Sequence, residues 1–191
     1  MSQQKDKEQK SNSPSNSPSE ERSSESKNFM HSTQNRHVIA KEVMTKNAAV
    51  CSPDMSIKDC ANLMLENDCG EIPIVESDKN CKLVGVITDR DITCRVVAKG
   101  KDPINARVKD FMTKDIFTVK ENDDLERCAQ LMSEKQVRRL PVVDEKMNVV
   151  GIVSQAHVAR YASIQKAGEL AKNISRSRSS HHISQANQVN M

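Results

Sequence analysis

Residues 84–88 read Val-Gly-Val-Ile-Thr, and residues 150–154 read Val-Gly-Ile-Val-Ser, so one short apolar strand pattern is present twice. The sequence before each copy repeats in the same order. The other matching pairs are Met44–Lys46 with Met112–Lys114, Cys60–Met64 with Cys128–Met132, and Ile72–Val75 with Leu140–Val143. The offset is 68 residues before a polar turn and 66 residues after it, and turns tolerate such length changes. This agreement in order, spacing and chemistry indicates an internal duplication.

Each copy is predicted to fold as strand, helix, strand, strand and helix. The first strands are short apolar runs at Ala48–Cys51 and Ile116–Val119, and apolar residues at helical spacing follow from Ile57 and from Leu125. The helix after the first repeated strand pattern is expected to end near Gly100. Helix N-caps are predicted at Ser56 and at Asp123 or Asp124.

A single unit of about fifty residues is only marginally stable alone. The sequence therefore predicts an α/β (α+β) fold in which two copies pack about a pseudo-twofold axis. Such packing leaves clefts between the copies, and clefts between packed units are common ligand sites.

The composition argues against several classes of protein. The chain has 191 residues with 29 basic and 26 acidic side chains, a net charge of +3 and no tryptophan, so nucleic-acid binding is not expected. No apolar run has the length of a membrane span, and no hydrophobic signal core follows the N-terminus. The six cysteines lack metal-site spacing, and we interpret them as reduced thiols of a cytoplasmic protein.

The composition also predicts the domain boundaries. Residues 1–36 are rich in Ser, Asn, Gln and charge, which predicts a disordered polar tail. The first repeat is placed at 37–105 and the second at 106–171, and a second disordered tail is predicted at 172–191. His181 and His182 lie in that tail without a suitable third ligand nearby, so no metal site is expected.

The quoted motifs resemble those of CBS domains, and two in tandem resemble a Bateman module. The segment from Gly85 to Ile92 (GVITDRDI) and the segment from Val137 to Val143 (VRRLPVV) carry most of the resemblance. It covers about residues 40–162 and is similar to the small stand-alone CBS-pair proteins of bacteria. The resemblance implies a regulatory protein that is not an enzyme and has no catalytic residues or cofactor.

The resemblance also implies an adenosine-containing ligand, of the AMP, ADP or ATP class, between the repeats. Carried onto this chain, Thr88 would contact phosphate and Asp91 would contact the ribose hydroxyls. The facing residues from the second repeat would be Lys120, Val137, Arg138 and Arg139. The chemistry agrees, because a carboxylate accepts the two hydrogen bonds that a ribose diol donates, and helix N-termini attract anions.

The same residues have simpler interpretations. Thr88 and Asp91 are three positions apart at a helix start and can form a capping box. Arg138 and Arg139 can be a solvated helix end, and Lys120 can be an ordinary surface lysine. Both kinds of interpretation remain open from the sequence alone.

The second copy departs from the family pattern. His157 stands where the ribose-binding aspartate is expected, and a histidine cannot accept two hydroxyl bonds as a carboxylate does. Glu71 replaces a basic residue and would repel phosphate in whichever cleft it lines. The second site is therefore expected to be weak, empty or adapted to something else.

Two functions follow from these observations. The leading hypothesis is a nucleotide-responsive regulator, active as a homodimer, that controls an unidentified protein. The alternative is a ligand-free module for protein interaction or oligomerisation.

Overall fold

The computed structural model describes residues 37–77 and 80–176. The described residues from His37 onwards belong to one unit. The predicted tail at residues 1–36 and most of the C-terminal one lie outside the described residues. The boundary at residue 172 is too early, because the last helix continues to Ile174, whose side chain is buried in the core of the second copy.

The first copy contains two short N-terminal elements, a longer helix, a β-hairpin and a final irregular helix. Its elements are α1 (Ala40–Val43), β1 (Thr45–Lys46), α2 (Ile57–Glu66), β2 (Glu71–Ser77), β3 (Asn80–Thr88) and α3 (Asp89–Asp91), which continues as a π-helix (Ile92–Val96) and a 3-10 turn (Val97–Lys99). The predicted helix end is confirmed, since Gly100 caps this run with a φ of 62°. Glycine adopts that left-handed conformation without steric cost.

The second copy follows the same order. Its elements are a 3-10 turn (Val108–Asp110), β4 (Val119–Lys120), α4 (Leu125–Lys135), β5 (Arg139–Val143), β6 (Val149–Ser154), α5 (Gln155–Tyr161) and α6 (Ile164–Ile174). The cap at Ser56 is confirmed, because its hydroxyl accepts from the Asp59 N–H at 3.0 Å. Asp124 holds the N-cap position of α4 without a capping bond, and Asp123 instead accepts from the Lys120 N–H at 2.7 Å.

The first strand of each copy is shorter than predicted. Instead of a strand over Ala48–Cys51, only Cys51 joins the ladder, by an isolated parallel bridge to Ile74. Instead of Ile116–Val119, the strand is β4, which pairs in parallel with β5. The physical reason is that the residues just before each predicted strand pair with the other copy. Most of the predicted strand is therefore needed to return from the sheet of the other copy to that of its own.

A segment from each copy pairs with the edge strand of the other copy's sheet. β2 and β3 form an antiparallel pair, while the second sheet has the order β1-β6-β5-β4. β1 of the first copy thus pairs with β6 of the second, with Thr45 opposite Ile152. Reciprocally, Thr113 and Val86 exchange two backbone hydrogen bonds of 2.8 and 2.9 Å.

The backbone contacts between the copies obey a pseudo-twofold relation. The Ala40 N–H donates to the Asp123 carbonyl at 2.9 Å, and the Val108 N–H donates to the Met55 carbonyl at 3.0 Å. Each donor and acceptor of the second bond is the 68-residue equivalent of one in the first. The predicted pseudo-twofold packing of two copies is therefore confirmed.

The exchange extends to the hydrophobic cores. Ala40 and Met44 pack in the core of the second copy, whereas Val108 is buried in the core of the first, against which Met112 also packs. The boundary between residues 105 and 106 thus divides the duplicated sequence but not the packing units. Since each copy is completed by the other, the clefts between them are built from both.

Candidate functional site

Each copy has a strand-to-helix junction that is closed by a capping box. The Thr88 hydroxyl accepts from the Asp91 N–H at 3.1 Å, and Asp91 Oδ2 accepts from the Thr88 N–H at 3.0 Å and from its hydroxyl at 2.7 Å. In the second copy, the Ser154 hydroxyl accepts from the His157 N–H at 3.3 Å, and His157 Nδ1 accepts from the Ser154 N–H at 3.2 Å. The capping interpretation of Thr88 and Asp91 is confirmed, and their contact with a ligand stays a prediction.

The second oxygen of Asp91 faces an arginine that the sequence analysis missed. Arg95 Nη2 lies 3.3 Å from Asp91 Oδ1, and Arg95 Nη1 donates to the Phe111 carbonyl at 2.8 Å and lies 3.4 Å from Thr113 Oγ1. Arg95 therefore joins the helix start of the first copy to the segment that crosses from the second. The sequence signal was its i,i+4 spacing from Asp91. We name the surface formed by Thr88, Asp91, Arg95 and Thr113 the Asp91 cleft.

The backbone N–H groups expected to attract an anion at this helix start are partly engaged by the chain itself. The Asp91 N–H binds Thr88, and the Arg90 N–H donates to Asp89 Oδ1 at 2.6 Å. The positive charge available in this cleft is therefore that of Arg95, which is 48% exposed, rather than that of the helix start.

The residues predicted from the second copy are not gathered in one place. Lys120 Nζ donates to the Asp144 carbonyl at 2.8 Å and lies 3.6 Å from Glu145 Oε2, at the turn between β5 and β6. Val137 packs against the core of its own copy, and Arg138 is exposed. Their contact with phosphate or base stays a prediction.

Arg139 lines a cavity on the opposite junction. This cavity, which we name the His157 cleft, has a volume of about 250 Å³. It lies between the two copies, because both contribute to its wall. Its main polar lining residues are Asn47, Asp68, Glu71, Arg139, Ser154 and His157.

Glu71 is the unusual group of the His157 cleft. The residue is only 9% exposed, and its Oε1 atom is buried without a hydrogen-bond partner. Burial raises the pKa of this carboxyl from 4.5 to about 7; the charge of Arg139 lowers it, and the charges of Asp91 and Asp89 raise it. A buried polar atom without a hydrogen-bond partner lowers the stability of the folded state.

His157 can act as a neutral hydrogen-bond donor. Burial lowers the pKa of the imidazole, and the charge of Arg160 lowers it further. Because Nδ1 accepts the Ser154 N–H, the neutral ring carries its proton on Nε2. The second junction thus offers a hydrogen-bond donor where the first offers a carboxylate.

Two small residues contribute to the wall of the His157 cleft. Ala48 and Ala49 line it, and their equivalents in the other copy are Ile116 and Phe117. The Phe117 ring packs against the core of the second copy, and Lys135 Nζ stands 4.9 Å from its centre. The two alanines were the sequence signal for this cavity, and the sequence analysis did not use it.

Two negative observations apply to the described residues, 37–77 and 80–176. Within them, no three His, Cys, Asp or Glu side chains are placed to share a metal ion. No helix in this part of the chain is both long enough and apolar enough to cross a bilayer. His181 and His182 lie outside the described residues.

Comparisons with known proteins agree with the duplicated architecture. The family model described as CBS domain matches residues 40–97 and 108–164. The CBS domain-containing protein YhcV of Bacillus subtilis is 39% identical over 136 residues, which cover 71% of this chain and 94% of that protein.

Two solved structures are similar as well. One is the CBS domain pair of protein MJ0100 in complex with 5'-methylthioadenosine and S-adenosyl-L-methionine; it is 28% identical, with a TM-score of 0.57, over 65% of this chain and 95% of that one. The other is CBSX2 in complex with AMP; it is 30% identical, with a TM-score of 0.55, over 64% of this chain and 93% of that one.

Proposed function

This chain belongs to the CBS domain family, and we propose that it is a regulatory sensor module that binds an adenosine-containing ligand, of the AMP, ADP or ATP class, in the Asp91 cleft. The observation that carries the proposal is the junction at Thr88 and Asp91, where a carboxylate and an arginine from one copy meet a segment from the other. The ligands named for the two similar structures are AMP, 5'-methylthioadenosine and S-adenosyl-L-methionine. All three contain an adenosine moiety.

The chemistry of the Asp91 cleft suits a nucleotide. Asp91 Oδ1 makes a long contact of 3.3 Å with Arg95, and a ribose hydroxyl can replace that contact. The displaced guanidinium then becomes available to phosphate, for which its planar donors are well matched. Thr88, Lys120, Val137 and Arg138 remain the other proposed contacts in this cleft, whereas Arg139 lines the His157 cleft and is proposed to contact a ligand there.

Binding at this position has a route to regulation. Arg95 contacts both Asp91 of the first copy and the Phe111 carbonyl of the second. A ligand that binds Asp91 in place of Arg95 would therefore change the contacts between the two copies. A ligand shifts such an equilibrium only by its difference in affinity for the two arrangements. We propose that this change is read by a partner protein and that the chain has no catalytic activity of its own.

The module is proposed to act as a homodimer. Several large apolar side chains on its helical segments remain exposed in the single chain, notably Leu65 at 81%, Val97 at 64% and Ile164 at 89%. A symmetric association would cover them. Light scattering at low micromolar concentration should give twice the 21.3 kDa chain mass, and a monomer mass would contradict the dimer.

The alternative is an interaction module that binds no small molecule. The same exposed side chains favour it, because apolar surface on a helix is also what a partner protein would cover. Titration with nucleotides separates the two functions.

Calorimetric titration of AMP and ATP into the parent protein tests the proposal. Asp91→Ala removes the acceptor for the ribose, and the expected loss is on the order of 1.5–3 kcal/mol, roughly tenfold to over a hundredfold in affinity. His157→Ala is the matched control, since it removes the capping side chain of the other junction and should leave nucleotide affinity nearly unchanged. Absence of heat with either nucleotide in the parent would favour the interaction module.

A further inference from the structure

Two cysteines in the core of the first copy have their sulfur atoms in contact. Cys51 is 2% exposed and Cys60 is 0% exposed, and Cys51 Sγ donates a weak hydrogen bond to Cys60 Sγ at 4.0 Å. Both residues are free thiols. A disulfide bond places its two sulfur atoms about 2 Å apart, so a further approach of about 2 Å would join them.

The internal duplication provides a matched position without the pair. By the offset of 68 residues, Cys60 corresponds to Cys128 and Cys51 corresponds to Val119. Val119 is 2% exposed and Cys128 is 0% exposed, so the two copies bury these positions equally. A valine therefore fills the position of Cys51 in the second core, and packing alone does not require a second thiol there.

The contact makes Cys60 more reactive than a buried thiol would otherwise be. The hydrogen bond from Cys51 lowers the pKa of Cys60, against the effect of burial, which raises it. The same contact raises the pKa of Cys51, and burial raises it further. At Cys128, burial raises the pKa to about 11. Because the thiolate is the nucleophilic form of cysteine, Cys60 should react with an oxidant faster than Cys128.

We propose that Cys51 and Cys60 form an oxidisable pair, which a peroxide converts to an intramolecular disulfide bond. The Cys60 thiolate attacks one oxygen of hydrogen peroxide and the O–O bond breaks, which leaves a sulfenic acid on Cys60 and, after protonation of the released hydroxide, one water. The sulfur of Cys51 then attacks the sulfenic sulfur, and the Cys51 proton leaves with the hydroxyl group as a second water. Two thiols are thereby oxidised, and one peroxide is reduced to two waters.

The disulfide would join a segment from the wall of the His157 cleft to a helix of the core. Cys51 forms the isolated bridge to Ile74 of β2. Ala48 and Ala49, which shortly precede it, line the His157 cleft. Cys60 lies on α2. Oxidation would therefore fix the end of this segment to α2, and neither cysteine is among the proposed nucleotide contacts.

Peroxide oxidation followed by mapping of the thiols tests the proposal. The full chain with Cys81→Ser and Cys94→Ser, which remove two exposed thiols, would be treated with hydrogen peroxide, denatured, alkylated with N-ethylmaleimide and digested with trypsin. Cleavage after Lys58 separates Cys51 from Cys60, so their disulfide appears as two linked peptides that a reductant separates.

The comparison with the second copy makes the measurement quantitative. We expect Cys60 to become resistant to alkylation at least about tenfold faster than Cys128, with linked peptides accumulating at the same rate. Fragmentation of the linked peptides distinguishes Cys60 from Cys69, since both lie in one tryptic peptide.

Two variants separate the contact between the thiols from simple burial. Cys51→Val gives the first copy the residue of the second, and Cys60 should then react as slowly as Cys128. Cys60→Ala removes the partner of Cys51, which should then stay open to alkylation. Equal rates for Cys60 and Cys128, or an unchanged rate for Cys60 in Cys51→Val, would overturn the proposal, because opening of the core would then control the reaction. Linked peptides that contain Cys69 in place of Cys60 would overturn it as well.

Discussion

The Asp91 cleft and the His157 cleft begin from the same duplicated backbone and differ in almost every side chain that a ligand would meet. In both junctions a hydroxyl residue caps a helix, and its backbone N–H donates to the side chain of the third helical residue. That accepting side chain is a carboxylate in one copy and an imidazole in the other. Capping geometry alone therefore does not define a binding site. The same capping arrangement can present a carboxylate, which accepts hydrogen bonds, or an imidazole, whose second nitrogen donates one.

The two clefts also differ in how they are filled. In the Asp91 cleft, the Arg95 side chain reaches the crossing segment and donates to the Phe111 carbonyl. The His157 cleft contains a cavity, and two of its wall positions are alanines. The pKa of Glu71 depends on charged residues near both junctions, because Arg139 lowers it and Asp89 and Asp91 raise it. Of the changes considered below, the one at Glu71 is expected to have the largest effect on the free energy of unfolding.

The first prediction concerns the pH dependence of stability. Burial raises the pKa of Glu71 from 4.5 to about 7, so the folded protein binds this proton more tightly than the unfolded chain. The associated stability is fully present below pH 4.5 and is lost as the pH rises towards 7. At about 1.4 kcal/mol per unit, the total loss is on the order of 3 kcal/mol.

Glu71→Gln removes this loss, because an amide does not ionise. Parent and variant should have similar free energies of unfolding near pH 4.5, and the variant should be the more stable by about 3 kcal/mol near pH 8. Urea denaturation at a series of pH values measures this difference, and Glu169→Gln, which changes an exposed carboxyl on α6, is the control. Parallel curves for the parent and Glu71→Gln would show that Glu71 has an ordinary pKa.

The second prediction compares the glycines where each crossing segment passes over a strand. A Cβ atom on Gly151 would lie 2.6 Å from Met44 Sδ and 2.7 Å from the Thr45 carbonyl oxygen. A Cβ atom on Gly85 would also lie 2.6 Å from a methionine sulfur, that of Met112, but its backbone contact would be 3.3 Å. A methionine side chain can move aside, whereas a paired backbone cannot.

Gly151→Ala should therefore cost about 2–3 kcal/mol of stability and Gly85→Ala about 1 kcal/mol, within the usual range for overpacking. Thermal and urea unfolding of the two variants measures both losses. Equal losses of stability would mean that the backbone of the crossing segment limits both positions to the same extent. The difference in backbone distance at Gly85 and Gly151 would then have no energetic consequence.

The sequence predicted those features that local patterns encode. The duplication, the two main helices and the hairpin strands follow from residue spacing, and the capping of Thr88 by Asp91 follows from their separation of three residues. These features depend on neighbours along the chain, so that a single sequence contains the information.

The features that depend on distant contacts were not predicted. Nothing local indicates that Thr45 pairs with Ile152 of the other copy, and this exchange is what shortened the first strands. Lys120 was assigned to the Asp91 cleft by resemblance, and that assignment stays a prediction; the contact of its amine with the Asp144 carbonyl was not expected from the sequence. A second cleft at His157 was expected from the duplication, whereas its wall positions at Ala48 and Ala49 were not.

The most direct test of the unequal clefts is a residue-resolved one. Uniformly 15N-labelled protein would be titrated with AMP while backbone amide shifts are followed. We expect AMP to shift the amides of Thr88, Asp91 and Arg95 more strongly than those of Glu71, Ser154 and His157. Equal shifts at the two junctions, or shifts confined to Ser154 and His157, would contradict a nucleotide site in the Asp91 cleft.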